Sequence, residues 1–553
     1  MSGTKDAWGS RIGLILAMAG NAVGMSNFLR FPVQAVQNGG GTFIIPYLVS
    51  FLVIGIPLLW IEWSMGRFGG ALGHHSTPFI MDSMARNRLW KYIGVFGIWT
   101  NIAIAAYYCY LESWTVAYMV HSIKGSFLGL DQGEVAAFFD SYISLGTSTL
   151  GIPWEPFVFF ILVLLLNTYV LSQGLQKGVE RVAKIGIPLL ILFGIFLAYQ
   201  GATIDAGENG AIHSSMEGLN FLWTPDYSNM WSPSVWLAAA GQVFFTLSIG
   251  MGTVHCYASY VKAKDDIALS AMSSGWMNEF VEIVLGSFIL IPISIAFLGM
   301  DRVQELIELG SLSLGFKTLP YLFMQWGDVI GILSSFLFFS LLFFAGITSS
   351  LAMGTPWIGF LKDEFKWKHT SAAWSFGFII FVLGLPTIFL YKYGVFDEYD
   401  YWAGTVSLVV FALLECILFA WVFGMDRGWK EITRNAEIRV PHIYKYIIKY
   451  VTPVLLLIVF LGSVFTPKDN DWEGALSGTW ILDDSSIISK LRNTGLKDKL
   501  AGATDSETIA FVTDQLFYVN ASRLLLMTVF IGFAFLVYIA YKKRQNEPIT
   551  PQQ

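Results

Sequence analysis

The residues of this 553-residue chain that could do chemistry are polar groups set inside long apolar stretches. One run, 19–27, mixes two glycines with Asn21, Ser26 and Asn27, and a second, 246–252, combines Thr246 and Ser248 with two further glycines. Hydroxyl, amide and backbone oxygens in such runs suit a hard cation that has shed its water. Taken alone, either run is also typical of close packing between membrane helices.

Other polar groups lie in similar apolar surroundings. Asn278 and Glu282 are four residues apart, so on a helix an amide oxygen and a carboxylate would share one face. The hydroxyls of 348–350 can either coordinate an ion or bond to carbonyls one turn back. Acids within a membrane are costly and indicate function by default. For Glu62, Glu112 and Glu415, transport chemistry and acceptance of hydrogen bonds from irregular backbone both stay open.

The composition requires a lipid environment for these groups. Hydrophobic residues make up 55% of the chain and charged residues 13%, against about 25% charged in soluble domains. The net charge of −6 excludes a generally basic nucleic-acid binder. Cys109, Cys256 and Cys416 lie in apolar stretches, so no disulfide framework is expected. No nucleophile–base arrangement or cofactor motif is present, so we expect no enzyme.

Apolar windows long enough to cross a bilayer, about 20 residues, recur along the chain. Lipid cannot satisfy free backbone groups, so they are predicted to be helices of an all-α integral membrane protein. Lys and Arg follow the even-numbered windows and are absent from 203–236, which places both termini in the cytoplasm. The twelve predicted transmembrane helices are 11–36, 41–66, 89–123, 155–172, 184–202, 235–261, 268–298, 328–361, 372–391, 398–424, 443–466 and 517–541.

The two polar runs interrupt helices 1 and 6, which begin two successive sets of five. Corresponding interruptions in two halves indicate a five-plus-five inverted repeat with discontinuous helices 1 and 6 and a binding site at the midplane. The long polar stretch 467–516 is expected to be a solvated cap or a flexible insert. The predicted division is a cytoplasmic tail (1–10), the first repeat with helices 1 to 5 (11–202), an extracellular loop (203–234), the second repeat with helices 6 to 10 (235–424), helices 11 and 12 with extracellular loop 467–516 (425–541), and a cytoplasmic tail (542–553).

These residues resemble the neurotransmitter:sodium symporter family, and within it the bacterial branch typified by the leucine transporter. The resemblance covers nearly the whole chain except the loop before helix 12. The motifs that carry it are Gly20-Asn21-Ala22-Val23-Gly24, Asn27-Phe28-Leu29-Arg30-Phe31-Pro32, Asn38-Gly39-Gly40-Gly41, Glu62-Trp63, the run from Gln242 to Ser248, Asn278-Glu279, Thr348-Ser349-Ser350 and Trp402-Ala403-Gly404-Thr405.

The resemblance implies two sodium ions. The first would bind the carbonyl of Ala22, the side chains of Asn27, Asn278 and Thr246, and the carboxylate of the substrate. Ion and substrate would then each raise the affinity for the other. The second site is implied to comprise carbonyls of Gly20, Val23 and Ala345 with the hydroxyls of Thr348 and Ser349.

The resemblance also places the substrate. Its carboxylate would lie near Ser26 and Tyr108 at a helix amino end, and its ammonium would face Phe245, Thr246 and Ser248. Gly24 stands where monoamine carriers have an aspartate, which favours an amino acid. The residues implied in substrate binding are Ala22, Met25, Ser26, Ile104, Tyr108, Phe245, Thr246, Ser248, Met251, Ser349 and Met353, a mainly apolar set that predicts a hydrophobic L-amino acid.

Two further features follow from the resemblance. Chloride-requiring relatives hold the anion at positions equivalent to Tyr47, Gln242, Thr246, Asn278 and Glu282. Where they have serine, this chain has Glu282, which predicts transport without chloride and leaves proton counter-movement open. The implied outer gate is Arg30 with Asp400, and the implied inner gate is Trp8 and Lys5 against Asp363 near Tyr260.

The sequence thus predicts a sodium-coupled symporter that imports its substrate by alternating access. A proton-coupled amino-acid carrier of related architecture and a transporter-like sensor or channel remain the alternatives. The expected partners are a small-molecule amino acid and the lipid bilayer, with no nucleic acid, and the family leaves a homodimer open. The expected location is the cell membrane, here the bacterial inner membrane.

Overall fold

The computed structural model describes residues 7–144, 154–227, 230–308, 310–478 and 480–546. Within these ranges every extended regular element is a helix, and the only β pairing is an isolated bridge between Pro467 and Leu482. The prediction of an all-α membrane protein is therefore confirmed. The predicted gate residue Lys5 lies outside the described residues.

In the described ranges ten helices are long and apolar enough to cross a membrane without a break. They are α2 (Gly41–Ala71), α3 (Trp90–Ile123), α4 (Trp154–Ser172), α5 (Leu175–Ala202), α7 (Ile267–Leu298), α8 (Asp328–Phe365), α9 (His369–Phe389), α10 (Val395–Thr433), α11 (Ile443–Val464) and α12 (Ser506–Asn546). The remaining two predicted spans are broken: α1 into α1a (Arg11–Ala22) and α1b (Ser26–Gln37), bent by 48°, and α6 into α6a (Pro233–Leu247) and α6b (Thr253–Ala258).

The breaks arise where the local sequence stops supporting a helix. Val23 leaves the helical region after α1a, with φ −70° and ψ 94°. Between α6a and α6b, Ser248 has φ 52° and Gly250 has φ 74°. A Cβ atom at Gly250 would lie 2.3 Å from the carbonyl oxygen of Leu408, so this position requires glycine both for its backbone angle and for the close approach of α10.

The helices differ in how far they are enclosed. In α3 and α7, 83% of the most apolar window is buried inside the protein, whereas the value is 22% for α11 and α12. The first pair therefore forms the centre and the second pair faces lipid. Two π-helical turns interrupt the regular helices beside polar groups: Phe280–Gly286 in α7 contains Glu282, and Asp400–Val406 in α10 begins at Asp400.

The stretch before α12 was expected to be either a solvated cap or a flexible insert, and its described residues are folded as a cap. α12 begins at Ser506, not near 517, because Asp505 caps its exposed polar first turn by accepting from the Thr508 backbone N–H at 2.7 Å. Tyr401 of α10 donates to the Ser485 carbonyl at 2.8 Å. The stretch is therefore a folded cap with its own helices at Trp472–Leu476, Ile487–Arg492 and Thr494–Gly502.

Shorter helices connect the spans elsewhere. They are Thr77–Met84, Gln132–Ile143, Ser215–Trp223, Met300–Glu308, Leu319–Met324 and Tyr391–Tyr393.

Candidate functional site

A polar cluster forms where α1, α6 and α7 meet. Asn27 Nδ2 donates to Asn278 Oδ1 at 2.9 Å and to Thr246 Oγ1 at 3.2 Å, and Asn278 Nδ2 donates to Thr246 Oγ1 at 2.9 Å. All three side chains are fully buried. Asn27 Oδ1 accepts from the Gly24 N–H at 2.9 Å, which links the cluster to the break of α1. The three side chains predicted as ligands of the first sodium thus lie together although they come from three helices.

Glu282 adds a carboxylate to this cluster. It accepts hydrogen bonds from Thr246 Oγ1 at 2.5 Å, Gln242 Nε2 at 2.5 Å and Tyr47 Oη at 2.6 Å. Asn278 Nδ2 lies 3.5 Å from its Oε2. The five positions predicted from chloride-requiring relatives are therefore adjacent, and the other four surround the Glu282 carboxylate. Charge-assisted hydrogen bonds of this kind stabilise an anion where lipid and protein exclude water.

A second group of oxygens forms where α8 packs against the end of α1a. Ser349 Oγ lies 3.4 Å from the carbonyls of Gly20 and Asn21 and 3.2 Å from that of Ala345. Thr348 Oγ1 also lies 3.2 Å from the Ala345 carbonyl. Both hydroxyls thus bond within α8, as the packing interpretation predicts. The Ser349 hydroxyl also faces the broken helix, as a cation site requires, whereas Thr348 meets Gly20 of α1a through its Cβ and methyl group.

Close packing at Gly20 holds this second group together. A Cβ atom there would lie 2.9 Å from Thr348 Cβ, so only glycine allows α1a to approach α8 this closely. Ala22 and Val23, the last residues before the break, are buried.

Next to both groups lies the space predicted for the substrate. A Cβ atom at Gly24 would lie 3.2 Å from Tyr108 Oη, 3.4 Å from Ser349 Oγ and 3.9 Å from Ser26 Oγ. The Met25 N–H lies 3.4 Å from Tyr108 Oη. An aspartate at position 24 would fill this space, whereas glycine leaves the hydroxyls and the amide end of α1b facing one another.

The apolar residues predicted around this space are buried, except Phe245, which is half-buried. The buried members are Met25, Ile104, Tyr108, Met251 and Met353. Ser248, predicted to face the ammonium group of the substrate, also has a partner within the protein: its hydroxyl donates to the Asn21 carbonyl at 2.8 Å. This bond uses the proton and leaves the oxygen able to accept from an ammonium group.

The end of the site beside Arg30 and Asp400, which the predicted orientation makes the outer mouth, borders a cavity of about 550 Å³. The Arg30 guanidinium lies over the Phe245 ring, 4.2 Å from its centre, and Asp400 Oδ1 accepts from Tyr107 Oη at 2.6 Å. Among the described residues no ion pair joins Arg30 to Asp400, so their direct pairing, expected from the sequence, does not occur in this conformation. Each charge instead has an aromatic partner. Trp472 of the long loop also lines the cavity.

The inner mouth is closed by aromatic residues. Trp8 Nε1 donates to the Tyr257 carbonyl at 3.0 Å, and their rings lie 5.1 Å apart, edge to face. Tyr257 was not among the predicted residues; it follows the break of α6, and that position is the only signal in the sequence that singles it out.

Asp363, predicted opposite Lys5, accepts the His75 backbone N–H at 2.7 Å. The His75 ring stacks on the ring of Tyr260 with 4.1 Å between their centres. His75 is a second residue at this mouth that the sequence did not single out, because it lies in a loop distant from every break.

The buried acids fall into different environments. Glu62 Oε1 accepts from the Gly250 N–H at 2.6 Å, a hydrogen bond to irregular backbone that agrees with one of the two roles considered for it. Glu112 accepts instead from side chains, Asn167 Nδ2 at 3.0 Å and Ser350 Oγ. Glu415 lies opposite His255.

Known proteins are similar to this chain in sequence and in fold. YhdH, a sodium-dependent transporter of Bacillus subtilis, is 29% identical over 83% of this chain and 97% of its own length. Sodium-dependent nutrient amino acid transporter 1 of Drosophila grimshawi is 23% identical over 84% of this chain and 77% of its own. The crystal structure of MhsT in complex with L-phenylalanine superimposes with a TM-score of 0.71 at 27% identity, over 83% of this chain and 99% of MhsT.

The family model described as the sodium:neurotransmitter symporter family matches residues 5–130 and 131–482. This match includes both helix breaks, the Asn27 cluster and the α8 hydroxyls. The chain therefore belongs to the sodium:neurotransmitter symporter family and is a sodium-coupled membrane transporter, not an enzyme.

Proposed function

We propose that this chain imports a hydrophobic L-amino acid with sodium, by alternating access and without a requirement for chloride. The observation that carries the proposal is the buried contact of Asn27, Thr246 and Asn278 beside the Glu282 carboxylate. It supplies oxygen ligands for a cation and a carboxylate in one place.

The first sodium would take oxygens from this cluster, the carbonyl of Ala22 and the carboxylate of the substrate. Because the ligand shell is complete only when both are bound, each raises the affinity for the other, which is the basis of coupling. The second sodium would use carbonyls of Gly20, Val23 and Ala345 with Thr348 and Ser349. Moving two sodium ions inward at 100 mV would release roughly 4 to 5 kcal/mol before any concentration gradient.

The space at Gly24 favours an amino acid. The substrate carboxylate would lie by the amide end of α1b, Ser26 and Tyr108, and the ammonium would face the carbonyls of α6a and Ser248. A buried lining rich in methionine adapts to large apolar side chains. The superposition on a protein that binds L-phenylalanine and the similarity to nutrient amino acid transporters support this substrate class.

Chloride independence follows from the position of Glu282. Relatives that need chloride would place it among the same donors that here bond to the carboxylate, Tyr47, Gln242 and Thr246. A second anion at that point would be repelled. Arg30 with Asp400 would act as the outer gate, and Trp8 and Lys5 with Asp363, near Tyr260, as the inner gate. We place the protein in the bacterial inner membrane with both termini in the cytoplasm.

The test is uptake of a panel of labelled amino acids into proteoliposomes. We expect saturable uptake of hydrophobic amino acids that needs an inward sodium gradient, is abolished in potassium and is unchanged when gluconate replaces chloride. Currents without saturable uptake would instead support a channel, and uptake driven by a proton gradient in potassium would support a proton-coupled carrier.

Four variants assign these effects to single residues. Glu282→Ser should make uptake depend on chloride, whereas Glu112→Gln, which removes another fully buried acid, should leave the ratio of uptake in chloride to uptake in gluconate at one. Thr348→Ala should lower sodium affinity. An Asn27→Ala protein that binds substrate equally well in sodium and potassium would contradict the sharing of one ion with the substrate.

A further inference from the structure

Three titratable side chains meet on the inner half of the protein, apart from the groups that the proposed transport function uses. Glu62 is on α2, His255 on α6b and Glu415 on α10, and all three are fully buried. His255 Nδ1 lies 3.6 Å from Glu62 Oε2, and His255 Nε2 lies 3.6 Å from Glu415 Oε2. One ligand atom from each residue lies within 4.8 Å of the others.

No N–H or O–H donor among the described residues reaches the atoms that face one another: both ring nitrogens of His255, Oε2 of Glu62 and both carboxyl oxygens of Glu415. The carboxyl groups of Glu62 and Glu415 are close enough to form a hydrogen bond with each other if one of them is protonated. A separation of 3.6 Å exceeds the 2.7–3.2 Å of an N–H···O bond. Buried polar groups are normally paired, and an isolated buried carboxylate is strongly unfavourable. In the described part of the chain neither carboxylate forms an ion pair with Lys or Arg, so the charge of the site must be neutralised either by bound protons or by a cation from outside the chain.

The two 3.6 Å contacts are on opposite ring nitrogens of His255, so one ion can bind all three residues only after a carboxylate turns toward the coordinating nitrogen. One ligand atom from each residue already lies within 4.8 Å of the others. Zinc binds imidazole nitrogen and carboxylate oxygen at about 2.0–2.2 Å, which in a tetrahedral site separates neighbouring ligand atoms by about 3.4 Å. Imidazole with carboxylates also suits the divalent ions near zinc in the first transition row. Two carboxylates and one divalent ion leave the buried site without net charge.

We propose that Glu62, His255 and Glu415 bind one divalent transition-metal ion between α2, α6b and α10. Only one ring nitrogen coordinates the ion, and the other donates its N–H toward a carboxylate, as metal-ligating histidines commonly do. The Gly250 N–H, 2.6 Å from Glu62 Oε1, orients the Glu62 carboxylate. None of the residues proposed to bind sodium or the substrate is a ligand of this metal ion.

The ion joins α6b to two neighbouring helices. Tyr257, whose carbonyl accepts from Trp8 at the inner mouth, is two residues after His255. An ion on His255 therefore stabilises the conformation in which the inner mouth is closed.

The first experiment measures the metal content of the full-length protein, purified through a tag without histidines, by inductively coupled plasma mass spectrometry. We expect one metal ion per chain. After chelation, added Zn²⁺ should raise the unfolding temperature of the apo protein. His255→Ile and Glu415→Gln should each lose the ion and the shift, whereas Glu112→Gln, the matched removal of a fully buried acid elsewhere, should keep both.

A second measurement uses only the wild-type protein and therefore tests the proposal even if the variants do not fold. X-ray absorption at the zinc edge of the wild-type protein should show a shell of nitrogen and oxygen with the outer-shell scattering of one imidazole. Metal no higher than in the buffer blank, together with no Zn²⁺ shift, overturns the proposal and means that protons shared among the three groups neutralise the site. A spectrum without imidazole, or metal retained in both variants, places the ion elsewhere and also overturns it.

Discussion

At the outer mouth Arg30 lies over the Phe245 ring and Asp400 accepts from Tyr107, while at the inner mouth Trp8 bonds to the Tyr257 backbone and packs on its ring. The outer charges border a cavity of about 550 Å³. The inner aromatic contact is buried, with Trp8 8% exposed. The structure is therefore closed at the mouth beside Trp8 and accessible at the mouth beside Arg30.

The difference shows how each mouth can change state. The Arg30 guanidinium can leave the Phe245 ring for an opposite charge at small cost, because a cation–π contact contributes only about 0.5–2 kcal/mol. Removing a buried tryptophan from its contacts costs about 3–5 kcal/mol. We therefore expect the inner mouth to open only when another event supplies that free energy, and the outer mouth to fluctuate readily.

The largest effect is expected from Trp8→Ala. Loss of about 3–5 kcal/mol from the inner-closed state shifts the equilibrium toward inner opening by a hundredfold or more. Cys256, buried and bonded to the His75 carbonyl, reports this opening. In a Cys109→Ala, Cys416→Ala background, maleimide labelling of Cys256 should accelerate and sodium-driven uptake should fall. Trp8→Phe, which keeps a ring without the N–H, should give an intermediate rate, and an unchanged rate in Trp8→Ala would show that the seal lies elsewhere.

Tyr107→Phe comes next, because it removes a hydrogen bond to a carboxylate, a loss of about 1.5–3 kcal/mol. Freed from Tyr107, Asp400 should pair with Arg30 and favour a closed outer mouth. Release of labelled substrate into dilution buffer should slow by about tenfold. Asp400→Asn added to Tyr107→Phe should restore fast release. If the single variant releases substrate at the wild-type rate, the Tyr107 bond does not hold the outer mouth open.

A smaller effect is expected from Arg30→Lys. The ammonium keeps the charge but loses the planar stacking on Phe245, about 0.5–1 kcal/mol at an accessible site. Uptake should fall about threefold. Arg30→Gln, which also loses the charge, should reduce uptake further. Equal losses in the two variants would mean that charge alone accounts for the role of Arg30.

The smallest effect on transport is expected at His74, beside the inner mouth. Burial, and secondarily the Arg544 guanidinium, lowers the pKa of His74 to about 4 from its usual value near 6.5. The folded protein thus binds fewer protons than the unfolded chain in this range. Its contribution to stability is present above pH 6.5 and is lost as the pH falls from 6.5 to 4.

The unfolding temperature in detergent should therefore decline over that interval. The decline should be shallower in His74→Gln, while uptake at neutral pH stays at the wild-type rate. Parallel pH profiles for the two proteins would contradict the assignment to His74.

Several elements were predictable because their signal is local. The apolar windows place most helix ends within a few residues of those in the structure, and glycines mixed with polar residues mark both breaks. α12 shows the limit: its outer turns, from Ser506 onward, are polar and exposed, so hydrophobicity carries no information about them. Asp505 caps them through a hydrogen bond that any loop aspartate could also make.

In the candidate site, too, some features have a local sequence signal and others depend on the packing of distant helices. The residue types at Asn27, Thr246 and Asn278 are compatible with a cation site because they offer oxygen ligands, although such residues are also common where membrane helices pack closely. The contact between these side chains could not be predicted from local sequence, since Asn27 and Asn278 are 251 positions apart. The resemblance to a family predicted it, and the packing of α1 against α7 brings it about.

The amino-acid sequence by itself determined the membrane environment, the helix breaks and the kinds of atoms available at them, because hydrophobicity and backbone preference act over a few neighbouring residues. Only the tertiary structure decided which charge meets which partner. It placed Tyr107, not Arg30, against Asp400, and His255 between Glu62 and Glu415. Such pairings depend on the rotation and depth of whole helices relative to one another, which are set by packing across the entire molecule.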